Sequence, residues 1–221
     1  MVTWISIGAA LAAAGILGAW WIRRTDQLGR PRQAPTISVS IVLVISLAAG
    51  FVSWRHERLE DRLSAAASAL VGVPVKVDCQ SWGGAMVDAD GHLGYVKWGP
   101  DGVPERRTLI KRDVCNDLRG YLGSPGAGSN RDQVIAVHIL SHESMHMAGE
   151  KSEAVTECRA VQRNAITARL LGASPEAAAA LAATYWRDLY PNQTEEYRSR
   201  DCGPGGALDE HLADAPWTTS S

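Results

Sequence analysis

The chain has no cluster of basic residues away from its two longest apolar runs, and 22 Lys and Arg against 24 Asp and Glu leave a net charge of −2. Without a basic face to neutralise phosphates, a nucleic-acid partner has no support. Internal repeats are lacking, so nothing points to a repeat architecture. None of the four cysteines is spaced as CxxC, which removes the usual signature of a cysteine-rich metal site. The first apolar run has no basic stretch ahead of it and no evident small-residue cleavage site, so it does not read as a cleaved signal peptide.

What is present begins with those runs. Val2 to Ile22 and Thr36 to Trp54 are uncharged stretches of about twenty residues, each long enough to cross a hydrocarbon core of roughly 30 Å. Trp4, Trp20, Trp21 and Trp54 sit at their ends, where interfacial aromatic residues collect. Two membrane spans are therefore expected within residues 1–54. The connector holds Arg23, Arg24, Arg30 and Arg32, against Arg55, Arg58 and Arg62 after the second run, so it should face the cytoplasm and leave the rest of the chain outside. Cys79, Cys115, Cys158 and Cys202 lie beyond the spans, and an even count there suits disulfides in an oxidising compartment. Among the possible pairings, Cys79 with Cys115 and Cys158 with Cys202 is favoured.

His142-Glu143-Ser144-Met145-His146 carries the chemistry. On a helix, residues four apart differ by about 40° in azimuth and about 6 Å in rise, so both imidazoles can reach one ion while Glu143 lies beside them as a base. Composition alone would place an HExxH in roughly one chain in a hundred, so its surroundings matter. Asp132 to Ala148 reads as one largely buried helix, with Val134, Val137, Ile139, Leu140, Met145 and Met147 spread around it. Burying unpaired polar groups there costs several kcal/mol, by the order of magnitude for desolvation, and a metal removes that cost by making them ligands. Gly149 can end the helix and Ser152 can cap the next, folding Glu153 back toward the His pair. Glu153 is assigned to the metal. Glu157, one turn further, is the alternative third ligand, or else the carboxylate that holds a ligating His in its tautomer. The longer metzincin pattern would need its third ligand at Ser152, a poor zinc ligand, and is rejected. His138 lies on the same stripe as His142 and His146, where a core His bonded to a backbone carbonyl is expected in preference to a group behind the ligands.

HExxH followed by Glu153-Ala154-Val155-Thr156-Glu157 resembles the thermolysin-type gluzincins over about twenty residues of this chain. That resemblance implies Zn2+ bound by His142, His146 and Glu153, with Glu143 as the base and Glu157 in place of the family's Asp. It departs from the family in its short gap between His146 and Glu153, and in Glu157 being one methylene longer than Asp.

The remaining elements are expected as follows. Arg55 to about residue 72 reads as a helical stalk, and Val73 to Asp78, Leu93 to Trp98 and Arg107 to Ile110 as short strands separated by turns at Asp88-Ala89-Asp90-Gly91 and Pro100-Asp101-Gly102. An edge strand ahead of the HExxH helix could pair with an extended peptide. Gly172 stops the second helix, and Ser174-Pro175-Glu176 starts a third reaching about Tyr190. The fold class is thus α+β: two N-terminal transmembrane helices, then a small zincin-like domain over residues 73–203 with a short antiparallel sheet, and a flexible tail over 204–221. Tyr185, Tyr190, Tyr197 and His211 are candidates for stabilising a tetrahedral intermediate. The expected function is that of a membrane-anchored zinc metallopeptidase acting on peptide or protein substrates of the cell envelope. The rival is a non-catalytic membrane protein with a structural or sensory metal site.

Overall fold

The computed structural model describes residues 2–23, 25, 30, 36–81, 93–125 and 128–217. The turn expected at Asp88-Ala89-Asp90-Gly91 lies outside them. The chain divides into two compact units, Met1–Leu59 and Glu60–Ser221.

In the first unit, α1 spans Val2–Ile22, and α2, Thr36–Val71, begins there and continues into the second. The expected second span and stalk are therefore one uninterrupted helix of 36 residues. No proline falls inside it, and Gly72 at φ 81 ends it. Ile37, Ile41, Leu43, Val44, Ile45, Leu47, Phe51 and Val52 are all exposed on α2. The part of α2 before Arg55 is apolar around its circumference, and the helix is long and apolar enough to cross a membrane.

The second unit is α+β. Strands β1 (Lys76–Cys79), β2 (Gly94–Trp98) and β3 (Pro104–Ile110) form a sheet of order β1-β3-β2. The sheet is mixed, not antiparallel as expected: β1 runs parallel to β3, with Val77 opposite Thr108, whereas β2 and β3 form a hairpin with Gly94 opposite Ile110. The parallel pair arises because β1 and β3 are separated by the hairpin's first strand, which leaves room for a crossover. The outer edge of β1 is covered by α2, whose Ser64 hydroxyl and Glu60 carboxylate accept from the Val77 and Cys79 amides at 2.9 and 2.8 Å. Covering that edge leaves β2 as the open one among the described strands.

Four helices follow: α3 (Arg112–Gly123), α4 (Arg131–Met147), α5 (Glu153–Leu170) and α6 (Pro175–Thr184). α4 is the HExxH helix, started by a capping box in which Asn130 accepts from the Gln133 amide and Gln133 accepts from the Asn130 amide. It ends at Gly149, whose φ of 108 is open to glycine but strained for other residues. Ser152 occupies the cap position of α5 but makes no side-chain cap bond; the Lys151 and Ser152 amides instead donate to Glu150 Oε1. The helix expected to reach about Tyr190, α6, is α-helical only to Thr184, then widens into a π-helical turn over Tyr185–Leu189. Val137, Leu140, Val161, Ala168, Leu118 and Ile110 are fully buried where these layers meet.

Two disulfides brace the unit with the favoured pairing: Cys79–Cys115 joins β1 to α3, and Cys158–Cys202 joins α5 to the C-terminal segment. Residues 204–217, expected as a loose tail, are tied to α5. Gln162 donates to the Leu208 carbonyl at 2.9 Å and accepts from the Glu210 amide at 2.8 Å, Arg169 pairs with Asp214, and Ala215 is buried. A buried glutamine needs such partners, and the Gly- and Pro-rich composition of the segment hides them from the sequence.

Candidate metal centre

α4 and α5 form an antiparallel hairpin, and the short turn between Met147 and Glu153 fixes how their facing side chains meet. His142 Nε2, His146 Nε2 and Glu153 Oε2 converge: the two nitrogens are 3.0 Å apart and the oxygen lies 3.1 and 3.3 Å from them. A tetrahedron with zinc–ligand bonds of about 2.0–2.1 Å has edges of about 3.3–3.4 Å, so the tips are at nearly the right separation for one ion.

The far sides of the rings decide what those tips offer. His146 Nδ1 lies 2.8 Å from the Glu150 carbonyl, which can only accept, so Nδ1 carries the hydrogen and neutral His146 has its lone pair at Nε2. His142 Nδ1 lies 3.0 Å from Glu157 Oε2. Burial works against a charge on Glu157, but His138 and His142 outweigh it and hold the carboxyl well below its ordinary range, so it is an acceptor there too. The proximity of the His142 and His146 rings likewise lowers Glu153 to about 2. Two lone pairs and a carboxylate thus point at one spot, an arrangement that repels itself unless a proton or a cation occupies it. For His142, burial opposes protonation, yet bonds to Glu153 and Glu157 prevail and push it up to about 9. The field that favours the extra proton favours a divalent cation more strongly.

Glu157 is fully engaged. Its Oε2 accepts from His138 at 2.8 Å and from His142, and its Oε1 accepts from the Tyr185 hydroxyl at 2.7 Å, which in turn accepts from Gln193 at 2.9 Å. His138, His142 and Glu157 also lie close enough together to hold an ion. Both groups line one cleft, but His138 and Glu157 are almost wholly buried and already satisfied by hydrogen bonds, whereas Glu153 is 31 % exposed. His138 therefore bonds a carboxylate and not the backbone carbonyl expected of it. Its other nitrogen meets Asn164 Oδ1 at 3.2 Å while the buried Asn164 Nδ2 has no partner among the described residues, and turning the amide over lets it donate to the ring.

Glu143 is buried beside the His pair, where loss of solvent raises its pKa against the pull of His142 and His146. Thr108 Oγ1 lies 3.2 Å from its Oε2 and 3.0 Å from the Tyr95 carbonyl. Gly94 sits over the same carboxylate: a Cβ there would be 2.8 Å from Glu143 Oε1. Neither Thr108 nor Gly94 was legible as a site residue, because both belong to strands whose register with α4 is a tertiary fact.

These groups open into a cleft of about 550 Å³ between β2, α4 and the segment after α6. Tyr197 lies in it, its ring centred 5.8 Å from that of His142, and burial pushes its phenol up to about 12. Of the other candidates, Tyr185 also lines the cleft but is committed to Glu157, Tyr190 bonds the Ser199 backbone, and His211 is exposed beside Asp209. No protein-family model, curated protein or solved structure matches this chain.

Proposed function

We propose that the protein is a membrane-anchored, zinc-dependent peptidase. The convergence of His142 Nε2, His146 Nε2 and ionised Glu153 at the floor of an open cleft, with Glu143 at its side, is the observation that carries this reading. The donor set of two imidazoles and one carboxylate suits zinc and leaves a fourth position for a water or substrate. Zinc held there would lower the pKa of a water to about 7 and polarise a carbonyl. Glu143, made more basic by burial, takes the proton and passes it to the leaving amine. Thr108 orients that carboxylate, Glu157 fixes the His142 tautomer, and Tyr197 stays protonated at neutral pH as a donor to the developing oxyanion.

The open edge of β2 supplies a place for a peptide. Lys111 donates to the Leu93 carbonyl, so with Gly94 opposite Ile110 the backbone groups of Gly94 and Val96 point away from β3. An extended chain can pair with them and pass directly over Glu143. Two spans with the domain outside the cell are the topology we assign, from the connector arginines and the two disulfides. Substrates are then polypeptides of the cell envelope.

The purified full-length protein in detergent should bind one zinc and hydrolyse unstructured peptides, and Glu143→Gln should keep the zinc and lose about 10²-fold or more in rate. Equal hydrolysis by the variant would remove Glu143 from the chemistry. Zinc without hydrolysis of any peptide would favour the non-catalytic metal site.

A further inference from the structure

Part of the cleft wall is not used by the chemistry above. On α4, where Val134, Ala136, Val137, His138 and Leu140 are buried, Ile135 and Ile139 are only half-buried and line the cleft, as does Leu189. Arg131, four residues before Ile135, is exposed, lines the same cleft, and forms no ion pair with a described residue. The positions 131, 135, 139 and 142 fall on one stripe of the helix. Every carboxylate lining the cleft is committed elsewhere: Glu143 to Thr108, Glu153 to the His pair, Glu157 to three donors. An apolar wall thus leads from the metal group to the Arg131 guanidinium, whereas the other cation lining the cleft, Lys151, lies over the Trp98 ring at 4.9 Å.

We propose that this arm of the cleft selects a peptide bearing an apolar side chain next to the metal group and a carboxylate further out, bound by Arg131. This rests on the peptidase reading of the same site. Arg131 precedes His142 by eleven residues, about 16 Å along the helix axis. An extended chain advances about 3.3 Å per residue, so the carboxylate belongs about five residues from the group at the metal. An acidic side chain or the free C-terminus of the substrate can supply it.

The test uses the full-length, zinc-loaded Glu143→Gln protein in detergent and fluorescent decapeptides with one Leu near the middle. A Glu is stepped through the positions on either side of that Leu, each peptide made with a free and an amidated C-terminus. Binding by anisotropy should be about 2- to 5-fold tighter for a Glu near the fifth position on one side than for its Gln counterpart, the range for an exposed ion pair. Arg131→Glu should reverse that preference, and Arg131→Gln should abolish it, with zinc content unchanged. A preference for the free acid that vanishes on amidation names the C-terminus as the source; one that survives amidation names the side chain. Equal affinity for Glu and Gln peptides at every position, or a preference that Arg131→Glu leaves intact, overturns the proposal. Because this readout is binding, it stands apart from hydrolysis: failure to cleave any peptide counts against the peptidase reading, and absence of a charge preference counts against the Arg131 arm alone.

Discussion

Glu153 and Glu157 lie one turn apart on α5 and carry opposite burdens, so removing their charges separates a ligand from a buried support. In Glu157→Gln, the amide oxygen can keep His138 and His142 while the amide nitrogen faces the Tyr185 hydroxyl. Two charge-assisted bonds become neutral ones and a third partner meets a donor, which at about 1 kcal/mol each totals about 3 kcal/mol of stability. With a urea dependence of about 2 kcal/mol per M, the unfolding midpoint should fall by about 1.5 M. Zinc affinity should fall about 10- to 100-fold, the usual cost of losing the group that orients a ligating His. Glu153 is partly exposed and bonds only the two His tips, so Glu153→Gln should abolish tight zinc binding and move the zinc-free midpoint far less. Urea unfolding followed by tryptophan fluorescence, with zinc titrations on both variants, measures each pair of numbers. The opposite pattern, zinc binding lost in Glu157→Gln and kept in Glu153→Gln, would refute the assignment of roles.

Three further outcomes follow from the geometry. Gly94→Ala places a methyl against Glu143 and should lower hydrolysis about 10²-fold through misplacement of the base, with zinc content unchanged by metal analysis. Because His142 holds a proton up to about pH 9 and must release it to bind an ion, zinc affinity should fall about tenfold per pH unit as pH drops from 8 to 6; calorimetry in buffers of different ionisation enthalpy should show about one proton released per zinc at pH 7. The Cys158–Cys202 bond closes a loop of 44 residues, so Cys158→Ala with Cys202→Ala should cost about 4 kcal/mol by loop entropy, read from denaturant unfolding.

Local chemistry made much of this legible. The His pair, the Gly149 turn and both Glu residues occupy one helical hairpin whose periodicity is written in consecutive residues, and the pairing of the cysteines agreed with the fold. Helix α3 was not anticipated, although Val114, Cys115, Leu118 and Tyr121 make a buried stripe at helical spacing. The parallel pairing of β1 with β3, the cover that Ser64 and Glu60 give β1, and the placement of Thr108 and Gly94 against Glu143 depend on contacts across the chain. Hydrophobic alternation fixes which face of a strand is inward but not its partner. His138 shows the same limit, since its acceptor comes from α5 and not from its own helix.

The central claim is an open metal site formed by His142, His146 and Glu153. Zinc X-ray absorption on the full-length protein reads its coordination shell directly. The account predicts two imidazole nitrogens, one carboxylate and a light-atom ligand that exchanges with solvent, with the carboxylate lost in Glu153→Gln. Four protein ligands, a shell that includes sulfur, or no bound zinc would contradict it.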